Sequence, residues 1–94
     1  MAQSTVLAAA QTAGQSSDIT VAVGSVVSIG LFATVDIPST VRCAVFMKGP
    51  SGAQFVGALT GNNPQMAVSG PGTFYVSRPS LASIGVNVGV YTEA

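Results

Sequence analysis

Few side chains in this sequence are equipped for acid–base, nucleophilic or metal chemistry. There is no histidine, which removes at once the commonest general base and the commonest metal ligand. The carboxylates Asp18, Asp36 and Glu93 stand far apart, at a strand start, in a turn and near the C-terminus. Their spacing points to turn capping and solubility rather than to the paired acids of a hydrolase. Cys43 lies between Val41 and Val45 on the apolar stripe of an alternating run. A thiol so placed behaves as a small buried hydrophobe, with no neighbouring base to make it a nucleophile. The glycine-rich stretches GPSGAQFVG and SGPG lack the Lys-Ser/Thr of a phosphate loop and the strand-to-helix context of a dinucleotide site, and they are expected to be turns. The expectation is therefore a protein that is not an enzyme, with no catalytic residue, cofactor, metal or small-molecule substrate.

The charge census narrows the partners. Charged residues make up 6% of the chain and the formal net charge is zero, against roughly 25% charged residues in ordinary soluble domains. Three cations, Arg42, Lys48 and Arg78, cannot neutralise a row of phosphates, so nucleic acid is not an expected partner. No run reaches the roughly 18 apolar residues of a membrane span, and MAQSTVLAAAQTAG has no basic region ahead of its short apolar stretch, so it does not have the form of a secretory signal. A single cysteine excludes an intrachain disulfide and suits folding in a reducing cytoplasm. A surface with so little charge would associate readily with copies of itself. We therefore expect a subunit that works within an assembly, as a homo-oligomer or symmetric array.

The elements that would position such a surface read in period two from Asp18 onward, broken by glycine or proline every 8 to 12 residues or so, the spacing of a sandwich or small barrel. Seven strands are expected, in DITVAV, VVSIGLFA, TVRCAVFMK, AQFVGAL, QMAVS, TFYVSR and VNVGVYT. The fold class is all-β, a small immunoglobulin-like β-sandwich. Gly72-Thr73-Phe74 ahead of Val76 occupies the place of the Gly-x-Tyr-x-Cys start of a late immunoglobulin strand, without its hydroxyl or its cysteine. Residues 1–17 are expected to form an N-terminal arm or extra strand. A short helix over STVLAAAQTAG is the alternative, although a lone two-turn helix is marginal in water. Residues 18–94 form the sandwich domain.

With the valine stripes turned inward, Phe32, Phe46, Tyr75 and Tyr91 point outward, while Phe55 and Phe74 stay with the core. Exposed rings on an uncharged surface are the usual anchors of protein–protein contacts. Arg42 and Arg78 are expected at the edges of that surface, and Val6 and Leu7 supply the apolar part of an arm that reaches a neighbour.

Three stretches, TVLAAAQTAGQSSDITVAVGSVVSIGLFA, FMKGPSGAQFVGALTGNNPQMAVSGPGTFYVSRP and GVNVGVYTE, resemble small β-sandwich virion proteins of tailed bacteriophages. The segment from Gly70 to Pro79 carries most of the likeness. The resemblance implies a structural protein that decorates or cements the capsid, with the major capsid protein or other virion subunits as partners. It implies assembly in the host cytoplasm, residence in the virion and no catalytic residues. The alternatives are a fibre, tail or head–tail adaptor module, a self-assembling shell or fibre subunit, or a module for host-surface carbohydrate.

Overall fold

A computed structural model describes residues 3–94. Every regular element among them is a strand: β1 (Gln3–Ala10), β2 (Gly14–Gln15), β3 (Ile19–Val21), β4 (Val26–Phe32), β5 (Arg42–Gly49), β6 (Gly52–Thr60), β7 (Gln65–Ser69), β8 (Gly72–Arg78) and β9 (Val88–Glu93). The seven segments read from the alternation form β3 to β9, and the N-terminal segment adds β1 and β2. Strand wins over helix there because the edge of β9 offers backbone partners along its length: β1 pairs antiparallel with it from Gln3↔Glu93 to Ala10↔Val88.

The strands form two antiparallel sheets. Sheet A has the order β1-β9-β4-β7, and sheet B the order β2-β8-β5-β6, with β3 continuing the line of β2 along β8. The expected all-β sandwich is therefore present, and its strand order makes the description more specific. Taking β2 and β3 as one interrupted strand, first pairs with last, second with next to last, and so inward to the β5–β6 hairpin. That is the double Greek key of a jelly roll; an immunoglobulin domain would have two sheets of order ABED and CFG. Strand number and turn spacing are common to both arrangements and do not separate them.

The core lies between the sheets and is built mostly of branched aliphatic side chains. Ile29, Val41, Cys43, Val45, Leu59, Val76, Val88 and Val90 are wholly buried, with Phe74 among them. Alternation along β4, β5 and β8 places Ile29, Cys43, Val45, Phe74 and Val76 inward, because successive side chains of a strand point to opposite faces. Burying a valine or leucine contributes roughly 1.5–3 kcal/mol.

Two close approaches fix how the chain turns between elements. At the Gly70-Pro71-Gly72 corner the Gly70–Pro71 peptide is cis, and a Cβ at Gly70 would lie 2.0 Å from the Ala22 carbonyl oxygen. Only glycine allows that approach. In the β5–β6 hairpin Gly52 takes a φ of 119°, a conformation that L side chains disfavour.

The first strands cross from one sheet to the other, and Ser16 spans the break. Its N–H donates to the Val76 carbonyl, and its hydroxyl oxygen accepts from the Val76 N–H at 2.9 Å. The side chain thus stands in for the ladder bond that the interruption between β2 and β3 would remove.

Candidate interaction surface

The outer face of sheet B carries a band of three rings on three neighbouring strands. Phe46 on β5 lies directly opposite Tyr75 on β8 and directly opposite Phe55 on β6. Phe46 and Tyr75 are stacked, with centroids 5.4 Å apart and planes at 21°. Phe46 and Phe55 meet edge to face at 6.0 Å. Such pairs contribute about 0.5–1.5 kcal/mol beyond the area they bury. A cation caps each end: the Arg42 guanidinium lies 5.4 Å from the Phe55 centroid, and the Lys48 ammonium 6.0 Å from that of Tyr75. Lys48 is also paired with Asp18 at 2.9 Å. Both partners are about half exposed, so the pair contributes little stability, but it holds the ammonium near the ring.

Phe55 corrects an expectation. Strict alternation from the buried Leu59 through Gly57 would turn it inward, yet it is 53% exposed. The register shifts between Val45↔Gly57 and Phe46↔Phe55, which leaves Val56 as the extra residue of a β-bulge. One inserted residue reverses the facing of everything before it in the strand. Gly57, an unbranched residue inside a strand pattern, was the available sign. The bulge turns two rings on this face into a continuous band of three.

Arg78 is the second correction. Expected at an exposed edge, it is 4% exposed. Its Nε donates to the Thr12 carbonyl at 2.7 Å, and its Nη1 to the carbonyls of Ala8 at 2.7 Å and Val88 at 2.6 Å. The alternation that buries Phe74 and Val76 also puts residue 78 inward. The guanidinium satisfies carbonyls that the chain exposes as it passes from β1 to β2. It is a clamp on the N-terminal segment and not part of a surface.

The remaining expected residues divide between places. Arg42 is exposed on sheet B beside the band. Val6 and Leu7 lie in β1 and pack, partly buried, against the core, so within the chain they are core-side residues of an edge strand and not a free arm. Phe32 and Tyr91 lie on the outer face of sheet A, forming a tilted pair with centroids 6.3 Å apart. The four outward rings are thus two separate patches on opposite faces.

Cys43 is wholly buried; burial pushes its thiol above the usual range, and the Arg78 charge only partly opposes that. Among the described residues no group of three or more His, Cys, Asp or Glu side chains comes together that could hold a metal ion. No helix among the described residues is long and apolar enough to cross a membrane.

No family model matches the chain, and no curated protein and no solved structure matches it either.

Proposed function

We propose that this chain is a non-enzymatic structural protein of a virion, decorating and cementing a phage capsid by docking the aromatic band of sheet B on neighbouring subunits. The observation that carries the reading is that band. Phe55, Phe46 and Tyr75 form a contiguous row with the cations Arg42 and Lys48 at its two ends. Rings in a row with charge held to the rim are how protein–protein contacts are commonly built. The low charge of the chain supports the reading, since it suits surface that is covered by neighbours. The strand order supports it only by analogy, jelly rolls being frequent among viral capsid domains but also among lectins and enzymes.

The test is sedimentation velocity of the purified protein alone and mixed with undecorated phage shells. The expected result is a discrete small species that co-sediments with shells to saturation, in many copies per particle. A soluble species indifferent to shells overturns the reading.

One further observation favours a second reading, a self-assembling shell or fibre subunit. Strand β6 is an edge of sheet B, nine residues long, and contains neither charge nor proline. Charge and proline are common protections of an edge, and β6 carries only the bulge at Val56, so its remaining backbone could pair with another chain. A large polymer formed by the protein alone would establish this second reading over the first.

A further inference from the structure

Sheet A carries a second surface feature that the docking reading does not use. An open groove of about 570 Å³ runs over its outer face, lined by Gln3, Ser4, Thr5, Leu31, Phe32 and Tyr91. This size falls in the range of small-ligand sites. We propose that the groove binds a neutral saccharide.

The two rings are mounted differently from those of sheet B. Tyr91 lies across Gly30 of the adjacent strand, where a Cβ would be 2.5 Å from the ring, and Phe32 lies across Gly89, where a Cβ would be 2.4 Å away. Each ring therefore rests one side on bare backbone and leaves the other toward the groove. The pair is tilted by 59°, giving two walls. On sheet B the rings pack against one another and are capped by cations; on sheet A both rings line the groove.

The polar groups complete the argument. Thr5 pairs directly with Tyr91, and Gln3 with Glu93, so β1 lines the rings with hydroxyls and an amide. These groups both donate and accept hydrogen bonds. Among the described residues no cation lines the groove: Arg42 and Lys48 belong to sheet B, and Arg78 is buried. An anionic ligand would find no charge partner among these lining residues, and a purely aliphatic one would strip water from Gln3, Ser4 and Thr5 without replacing it. A sugar ring offers what remains: an apolar C–H face for the rings and a fringe of hydroxyls for β1.

The site lies on the face opposite the aromatic band, so it stands or falls independently of the docking reading. The test is a nuclear magnetic resonance titration of the isotope-labelled protein with maltotriose, cellotriose and triacetylchitotriose, each taken into the millimolar range. The expected result is saturable shifts at Thr5, Phe32 and Tyr91 with at least one of them, and none around Phe46. Tyr91→Ala and, as a milder change, Phe32→Leu weaken binding by roughly tenfold or more, whereas Tyr75→Ala leaves it unchanged. No response to any of the three sugars, shifts centred on Phe46, or shifts in the groove with a polyproline peptide but no sugar, overturns the proposal.

Discussion

Tyr91 lies across Gly30 so closely that a methyl group at residue 30 would sit 2.5 Å from its ring. Glycine in a strand interior ordinarily costs about 0.5–1 kcal/mol relative to alanine, so its presence in the middle of β4 reflects the space the ring needs. Gly30→Ala is expected to destabilise the protein by about 1–3 kcal/mol, the usual range for overpacking. In a Tyr91→Ala background the same substitution becomes neutral or slightly stabilising. Urea unfolding of the two single variants and the double variant measures this coupling directly. A cost at Gly30 that is unchanged without the ring would show that the ring is not its cause.

Arg78 leads to a second expectation. Replacing a buried ion pair wholesale by apolar residues is often harmless, but here the acceptors are backbone carbonyls that no substitution removes. Arg78→Met leaves the carbonyls of Ala8, Thr12 and Val88 short of their donors, at about 1–3 kcal/mol for each unsatisfied group. A total loss of about 3 kcal/mol or more is expected. Arg78→Lys keeps the charge but replaces a planar fork by a compact ammonium, and it falls between the two. The protection of the β1 amides against hydrogen exchange should drop further than that of β5, because the clamp holds the N-terminal segment. A Met variant as stable as the parent would show that the three bonds contribute nothing net.

The contrast between Arg78 and Phe55 shows what alternation can and cannot reveal. Phe74, Val76 and Arg78 share one parity, so the burial of Arg78 was legible to anyone willing to bury a charge; of the carbonyls that make it affordable, those of Ala8 and Thr12 come from the far end of the chain and only that of Val88 is near in sequence. Phe55 was not legible from alternation, because a single bulged residue reverses facing and only Gly57 hinted at it. The sandwich itself, the inward stripe of Val41, Cys43 and Val45, and the outward placement of Phe46 and Tyr75 all followed from period two. The jelly-roll order did not, since which strands become neighbours depends on long-range pairing that local spacing does not encode. The division of the outward rings into two faces follows from that same pairing.

The sheet B band separates folding from association. Phe55 is largely exposed and Tyr75 half-buried, so Phe55→Ser and Tyr75→Ala are expected to reduce stability by no more than about 1–2 kcal/mol, mainly the loss of ring–ring contact. Co-sedimentation of the folded protein with shells should nonetheless fall by a factor of ten or more, for about 1.4 kcal/mol or more of lost contact. Thermal unfolding and shell binding of the same preparations decide it. A variant that unfolds outright while its folded fraction still docks normally would assign the band to the fold and not to the partner.

Cys43 makes stability depend on alkaline pH. Its thiol titrates above the usual range because burial disfavours the thiolate, the nearby positive charge of Arg78 opposing this only in part. In the unfolded chain the thiol ionises near its ordinary pKa of roughly 8.5. Above that pH the unfolded state has lost a proton that the native state still holds. The free energy of unfolding therefore decreases as pH rises, and the contribution is gone once the native thiol titrates too. Below roughly pH 8 both states carry the proton and Cys43 contributes no pH dependence. Urea midpoints measured at neutral pH and near pH 10 should accordingly fall more for the parent than for Cys43→Val, a substitution that keeps the site apolar. In the native protein the thiol should also resist a disulfide reagent until denaturant is added, since reaction requires a thiolate with access to solvent. Equal alkaline losses in the two proteins, or rapid modification of the native thiol, would show that Cys43 is neither sealed nor titrating as its burial requires.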